Sequence, residues 1–327
     1  MFSCIYYTPY YIFPPPKRSK HIFIWSEWNV YIHEILEIAL SAKSKNLEKS
    51  LKTRPIHDII KKKPQKGKDM IVISLLNRKG GAGKTTASVN LAAIFAHTYK
   101  KRVLLADIDP QANATTYLNK FISKDEISIY DVLCKDIPIK EAIIDTDIEN
   151  LKLIPANVNL DNADTQLMML PTAKEFVLKK KLRELDGEFD YIFIDCPPAR
   201  NNLTTNALTA SNYTILPCEA TEYGIDSIFA MTEFISNVQA DVNDNLKVAG
   251  ILFTKRENTT AQRYYIEQFK TNLDSYHFFD TEIRKTTVVE KSLAEHSPLI
   301  VYGKKEEVTN DYIKVAKELE QIIKGEI

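Results

Sequence analysis

Residues 79–86 read KGGAGKTT, with glycines, lysines and threonines at the spacing of a phosphate-binding loop. That loop follows the pattern G-x-x-x-x-G-K-[ST], and residues 83–85 supply its second half. Counting back, the first glycine should stand at position 78, where the chain has Arg78, followed by a second lysine, Lys79. Because glycines let successive backbone N–H groups face phosphate oxygens, the segment predicts a nucleotide site that carries two lysines.

The residue types within this segment predict separate roles. Lys84 should reach the β- and γ-phosphates, and the Thr85 hydroxyl should bind Mg²⁺. The helix expected after the loop adds a favourable dipole at its N-terminus. The other residues predicted to bind the nucleotide within the loop are Gly80, Gly81, Ala82, Gly83 and Thr86.

Carboxylates end two apolar runs elsewhere in the chain. YIFID ends in Asp195, and VLLADID contains Asp107 and Asp109. Two acids at positions i and i+2 of a strand face the same way, and burying such a pair without a cation is costly. We therefore predict a Mg²⁺ site formed by Thr85 together with Asp107 and Asp195, with the two carboxylates acting through bound water.

Alternating apolar runs and helix-like stretches supply the elements that must position these residues. The predicted strands are MIVISLL, RVLLADI, LKLIPA, DYIFIDC, YTILPC and KVAGILFT. The predicted helices cover residues 84–98, 173–185, 203–210, 224–239, 261–271 and 309–324. Strands that are apolar on both faces and alternate with helices predict an α/β fold, a mostly parallel twisted sheet with helices on both faces.

Charge is unevenly distributed along the 327 residues, although the formal net charge is zero. Residues 1–69 hold thirteen Lys/Arg against six Asp/Glu, and the remainder holds thirty against thirty-seven. A basic leader on an acidic body fits either a polyanionic partner or a solvated linker. The four cysteines show no metal-binding spacing, and no apolar run reaches the roughly 18 residues that span a bilayer, so we expect a cytoplasmic protein with reduced thiols.

The leader, residues 1–69, differs in composition from the rest. It combines a proline-rich aromatic start, one plausible helix within residues 30–55 and the linker KKKPQKGKD, so we expect a partly disordered basic extension. Met70 stands directly before the first convincing strand. Two interpretations stay open: a genuine appendage, or upstream sequence joined by the choice of start codon. Residues 70–327 form the predicted catalytic domain.

Five segments together resemble a known family. They are KGGAGKTT (79–86), LLADIDPQANAT (104–115), YIFIDCPPA (191–199), TILPCEATEYGIDSI (214–228) and GILFT (250–254). Over residues 70–325 the chain resembles the ParA/MinD superfamily of deviant Walker ATPases, and most of all its ParA (Soj-like) DNA-segregation branch. The resemblance implies a P-loop NTPase fold of the SIMIBI type, with ATP and Mg²⁺ as cofactors.

The resemblance also implies roles for particular residues. Lys79 is implied to cross a dimer interface and touch the phosphates bound by the other subunit, in a manner like an arginine finger. Asp109 matches the residue that positions the attacking water, Asp107 a switch residue near Mg²⁺, and Asp195 the Walker B acid. Two residues at strand ends, Pro217 and Thr254, fall where relatives hold the adenine base.

Relatives of this branch hydrolyse ATP slowly, dimerise on ATP, bind DNA without sequence preference and respond to a ParB-like centromere-binding partner. The resemblance thus implies a partner-stimulated ATPase that associates with the nucleoid. The candidate DNA-binding residues are Lys255, Arg256, Arg263, Arg284 and Lys285. The segment around Arg284 departs from the family pattern, because a threonine stands at its second basic position.

Two alternatives remain. A MinD-like positioning ATPase would attach to a membrane through an amphipathic C-terminal helix. The C-terminal segment NDYIKVAKELEQIIKGEI is amphipathic but carries four acidic residues, so we expect it to pack on the body rather than on a membrane. The second alternative is a nucleotide-switched repressor or scaffold with negligible turnover.

Overall fold

The computed structural model describes residues 70–327. The predicted leader, its helix within residues 30–55 and its basic linker lie outside the described residues. The predicted boundary at residue 69 therefore stays a prediction.

Seven strands form one sheet. They are β1 (Ile71–Leu75), β2 (Val103–Asp107), β3 (Ile144–Asp145), β4 (Leu151–Ile154), β5 (Tyr191–Asp195), β6 (Tyr213–Glu219) and β7 (Lys247–Thr254). Their spatial order is β3-β4-β2-β5-β1-β6-β7. Every neighbouring pair is parallel except β3 with β4, which run antiparallel. The carboxyl ends of the six parallel strands therefore meet at one edge, where ligands bind in open α/β sheets.

Helices follow or separate the strands. The longer helices are α1 (Lys84–His97), α6 (Asn202–Ala210), α7 (Glu222–Asp241), α8 (Thr260–Asn272) and α11 (Glu307–Lys324). The shorter helices are α2 (Asn113–Tyr117), α3 (Ile129–Cys134), α4 (Ala163–Met168), α5 (Val177–Arg183), α9 (Thr287–Ala294) and α10 (Leu299–Tyr302). Within residues 70–327, 3₁₀ turns cover Ile139–Ala142, Val158–Asn162 and Lys174–Phe176.

The predicted α/β fold with a mostly parallel sheet is confirmed, and within residues 70–327 each predicted strand and helix has a counterpart. The structure adds elements that the sequence did not predict, notably the two-residue strand β3 and the short helices α2, α3, α4, α9 and α10. These elements are too short to show a period in the sequence, so their formation depends on packing against the sheet.

Two apolar cores cover the two faces of the sheet. One contains Leu104, Ile192 and Ile251 with residues of α6 and α7, and the other contains Ile73 and Phe193 with residues of α1 and α11. Successive strand residues point to opposite faces, which explains why the strands are apolar throughout.

Helix α1 lies deep in the second core. Eleven of its fourteen residues are buried, and its small alanines let it pack closely against the sheet on one side and α11 on the other. Because α1 begins at the phosphate loop, this burial gives the loop a rigid foundation.

Helix α11 is the amphipathic C-terminal segment. Its apolar residues Val308, Tyr312, Val315 and Leu319 are buried in the second core. In the part of the chain that the structure describes, no helix has both the length and the hydropathy needed to cross a membrane.

Candidate functional site

The phosphate loop joins β1 to α1 at the carboxyl edge of the sheet. Gly81 and Gly83 have φ angles of 75° and 85°, in the left-handed region that favours glycine. A Cβ added at Gly83 would also lie 3.2 Å from the Thr254 Cγ2 atom. Both positions therefore require glycine, and Gly83 is the N-cap of α1.

Asn77 fixes the start of this loop, a role that the sequence did not predict. Its amide nitrogen donates to the Pro217 carbonyl at 2.7 Å, and its side-chain oxygen accepts from the Lys79 N–H at 2.9 Å. The Ser227 hydroxyl donates to the same oxygen. Asn77 is only 1% exposed. A polar residue directly after the mostly apolar run MIVISLL was the available signal, because a buried amide must be hydrogen-bonded.

Thr254 and Pro217, which were predicted to contact the adenine base, both hydrogen-bond to residues of the phosphate loop or its start. The Thr254 hydroxyl donates to the Ala82 carbonyl at 2.9 Å, so it braces the loop while lining the cavity. Pro217 is buried behind the loop, where its carbonyl holds Asn77, and it does not line the cavity. The assignment of Pro217 and Thr254 to the adenine base stays a prediction.

The acidic residues beside the phosphate loop lie at the ends of two adjacent strands, β5 and β2. Asp195 is paired with Asp107 in the parallel register of β5 and β2. The Asp195 carboxylate accepts from the Thr85 hydroxyl at 2.7 Å and from the Ser88 hydroxyl at 2.9 Å. The structure therefore brings together the three residues that the sequence assigned to Mg²⁺.

Asp107 is fully buried and strongly hydrogen-bonded. Its carboxylate accepts from the Thr115 N–H at 2.8 Å, the Thr115 hydroxyl at 2.7 Å and the Asp109 N–H at 3.1 Å. The expectation that Asp107 and Asp109 share one face of a strand is wrong, because β2 ends at Asp107. A turn places Asp109 on the cavity, where its carboxylate accepts from the Gln111 N–H at 3.0 Å.

Burial dominates the electrostatics of the site. It lowers the pKa of Lys84, although the charges of Asp195 and Asp109 oppose this. It raises the pKa of Asp195 to about 6, against the hydrogen bonds from Thr85 and Ser88. It also raises the pKa of Asp107 to about 8, and the neighbouring Asp195 charge adds to the effect. Two carboxylates thus share a desolvated region that a cation would stabilise.

The donor set suits magnesium. Hard oxygen atoms from Thr85 and the two carboxylates are the ligand type that Mg²⁺ prefers, usually with water and substrate phosphates completing its shell. Among residues 70–327 no group of three or more His, Cys, Asp or Glu side chains is arranged to hold a metal. A site that depends on phosphate oxygens needs no such group.

A cavity of about 760 Å³ opens next to the loop. Its walls come from the loop, from Asp109 and from the segment between β7 and α10. Apolar side chains in that segment, Ile283, Val289 and Leu293, provide a surface on which a base could pack. Three of the residues predicted to bind DNA, Lys255, Arg284 and Lys285, also line this cavity.

Glu219, at the end of β6, links two lysines. Its carboxylate lies 3.0 Å from the Lys79 amine and 2.6 Å from the Lys255 amine. Burial tends to raise the pKa of Glu219, but hydrogen bonds from Lys255 and Lys79 outweigh it and hold that pKa below its ordinary value. Lys79 therefore lies beside the loop, paired within its own chain.

Gly224 lets α7 start close to Glu219. A Cβ added there would lie 2.1 Å from the Glu219 carbonyl oxygen, a backbone atom. We expect Gly224→Ala to lower the free energy of unfolding by roughly 1–3 kcal/mol, because the helix would have to shift. Urea denaturation measures this. Asn237→Ala, at an exposed position of the same helix, is the control and should stay within about 0.5 kcal/mol of wild type; equal losses in both variants would contradict the packing argument.

The candidate DNA-binding residues are mostly paired. Lys255 pairs with Glu219, Arg256 with Glu282, Arg284 with Asp311 and Glu307, and Lys285 with Glu257. Arg263 is exposed on α8 and takes part in no ion pair among residues 70–327. The assignment of these residues to DNA stays a prediction.

The first strand of the parallel sheet runs through a glycine-rich loop into a helix. A carboxylate at the end of a neighbouring strand accepts a hydrogen bond from the threonine of that loop. Together these features define a P-loop nucleotide-binding protein. Residues 70–248 match the model of the AAA_31 family, described as an AAA domain. The sporulation initiation inhibitor protein Soj of Bacillus subtilis is 35% identical over 255 residues, covering 76% of this chain and 97% of that protein. The chain belongs to the ParA/Soj-like family of P-loop ATPases.

Two further comparisons agree with this assignment. The chromosome partitioning protein ParA of Myxococcus xanthus is 33% identical over 250 residues, which covers 76% of this chain and 87% of that protein. A solved structure named cobyrinic acid a,c-diamide synthase from Mycobacterium smegmatis, with a bound ATP analogue and magnesium, is 30% identical and has a TM-score of 0.69. That alignment covers 79% of this chain and 97% of the solved one.

Proposed function

We propose that this protein is an ATP-dependent DNA-partitioning ATPase. It dimerises on ATP, binds DNA without sequence preference and leaves DNA when a ParB-like partner stimulates hydrolysis. The observation that carries the proposal is the pair of lysines on one loop: Lys84 buried at the start of α1 and Lys79 at the loop's outer side. The name of the Myxococcus xanthus relative, chromosome partitioning protein ParA, supports it.

The chain's own residues divide the work of ATP binding and hydrolysis. Loop N–H groups and Lys84 hold the phosphates, while Thr85 and Asp195 form one side of the magnesium site. When bound there, magnesium would neutralise charge that develops on the phosphates. Asp109, which lines the cavity, orients the attacking water and accepts its proton.

Lys79 acts across the dimer interface. Two bound triphosphates facing each other repel, and a lysine donated by each subunit to the other's phosphates offsets that repulsion. Dimerisation then depends on the γ-phosphate, and hydrolysis reverses it. Intrinsic turnover is slow because the second subunit and the partner complete the site.

The dimer binds the DNA backbone through the basic residues of the C-terminal third. Arg263 can contact phosphate directly, whereas Arg256, Arg284 and Lys285 must exchange carboxylate partners for phosphate. Such binding releases counterions and places the protein on the nucleoid.

Co-sedimentation with DNA tests the proposal. The wild-type protein should sediment with DNA in the presence of ATP and remain in the supernatant with ADP or without nucleotide. Between 50 and 200 mM salt the ATP-dependent binding should fall by roughly tenfold or more, because each displaced counterion adds to the salt dependence. Equal sedimentation in all three nucleotide states would rule out an ATP-controlled DNA switch.

The membrane alternative is disfavoured by one observation. The apolar face of α11, which a MinD-like protein would insert into lipid, is buried against α1 in the second core. Vesicle sedimentation with ATP should therefore leave the protein unbound. Release of phosphate over several turnovers separates the proposed ATPase from a repressor or scaffold with negligible turnover.

A further inference from the structure

Both the backbone and the side-chain amine of Lys79 are held by contacts that lead to the junction between β6 and α7. Its backbone N–H donates to the Asn77 side chain, which is itself bound to the Pro217 carbonyl and the Ser227 hydroxyl. Its amine donates to a Glu219 carboxylate oxygen at 3.0 Å. Lys79, which has to reach a second subunit in the proposed dimer, is thus directed toward Glu219 of its own subunit.

Glu219 is well placed to retain a cation. It is the last residue of β6, its side chain is 19% exposed, and its backbone is packed against Gly224. The second carboxylate oxygen accepts from the Lys255 amine at 2.6 Å. One half-buried anion is therefore shared between two lysines.

We infer that Glu219 is a positioning residue that retains Lys79 in its own subunit until ATP drives dimerisation. The inference rests on the proposed function, since it concerns how Lys79 becomes available to a second copy. Formation of the dimer then requires two Lys79–Glu219 pairs to break, one in each subunit.

Lys255 makes this exchange feasible. An acid left half-buried without a partner is costly, but Glu219 keeps Lys255 when Lys79 departs. Lys255 also approaches the loop itself, because its amine lies 3.7 Å from a Cβ built on Gly81. The two lysines compete for one carboxylate at the edge of the nucleotide site, so removing either one strengthens the hold of Glu219 on the other.

The expected effect follows from the exposure of the pair. Lys79 and Glu219 side chains are 32% and 19% exposed, so each pair is near the upper end of surface ion pairs and corresponds to about a fivefold change in an equilibrium constant. Because two pairs break per dimer, we expect a change of about 25-fold in the dimer dissociation constant.

The test measures the dimer dissociation constant by sedimentation equilibrium, at a saturating concentration of a non-hydrolysable ATP analogue. Glu219→Gln keeps the shape of the side chain but removes its charge, and it should tighten the dimer by about 25-fold. Glu219→Asp keeps the charge and should stay within about fivefold of wild type. Lys255→Met leaves Glu219 to Lys79 alone and should weaken the dimer by several-fold.

The opposite directions of Glu219→Gln and Lys255→Met separate retention of Lys79 from a general loss of structure, which would weaken both. A dimer that is unchanged or weakened in Glu219→Gln would overturn the inference. If Glu219→Gln does not fold, a tighter dimer in Lys255→Met would overturn it as well. A wild-type protein that stays monomeric with the analogue contradicts the proposed function instead.

Discussion

Replacing Lys84 with alanine should lower the affinity for ATP by at least about 100-fold. Lys84 is 6% exposed, and its ammonium faces the charges of Asp195 and Asp109. Without this cation, buried carboxylates would face an incoming polyanion. A charge-assisted contact to phosphate is worth about 1.5–3 kcal/mol, and the unneutralised carboxylates add to that loss.

Titration calorimetry with ATP and magnesium measures the effect of Lys84→Ala. Lys124→Ala is the matched control, because Lys124 is exposed and does not line the cavity; its affinity should equal that of wild type. Circular dichroism of Lys84→Ala should be unchanged, since α1 keeps its apolar contacts. An affinity within tenfold of wild type would show that the loop does not bind phosphate through this lysine.

The second large effect is expected for Asp109→Ala, which should bind ATP and yet hydrolyse it at least about 100-fold more slowly. Asp109 is 6% exposed and lines the cavity, while its own backbone N–H holds Asp107. A positioned acid–base group contributes roughly 10²–10⁴-fold to a rate. The substitution leaves Lys84, Thr85 and Asp195 in place, so nucleotide binding survives.

Because the proposed dimer is released by hydrolysis, Asp109→Ala should also accumulate as an ATP-bound dimer that remains on DNA. Phosphate release and DNA co-sedimentation measure the two consequences in one preparation. Asp147→Ala serves as the control. Asp147 is exposed and forms only a surface ion pair with Lys120, so this variant should hydrolyse ATP at the wild-type rate. Unchanged turnover in Asp109→Ala would remove this residue from the catalytic step.

Much of the fold was predictable, because its signals are local. Each strand is a short apolar run, and the longer helices other than α1 show a helical period, so their order predicts a parallel α/β sheet. The strand order was not predictable from these runs. It depends on which strands pair, and β1 lies between β5 and β6, far from it in the chain.

The phosphate loop shows the same division. Gly81, Gly83, Lys84 and Thr85 fall within five consecutive residues, and so short a motif specifies its own backbone geometry. Thr85 and Asp195 were each assigned to Mg²⁺ from the sequence, and the structure joins them by a hydrogen bond that the sequence did not predict.

Other assignments depended on contacts between distant residues. The basic residues after β7 read as a candidate DNA surface, but the structure pairs Lys255 with Glu219 and Arg284 with Asp311. Likewise Pro217, predicted at the base, lies behind the loop in contact with Asn77. A cation in a sequence shows no partner until the fold brings a carboxylate to it.

The sequence by itself thus determined the kind of chemistry, because the glycines, the two lysines and the strand-end acids lie within short segments whose conformation is locally encoded. Only the tertiary structure decided which partner each charged side chain has. Lys79 and Glu219 are 140 positions apart, and they meet only because β1 and β6 pair side by side in the sheet. The strength of an ion pair depends on the distance between its charges and on their desolvation, and neither quantity can be predicted from the order of residues in the sequence.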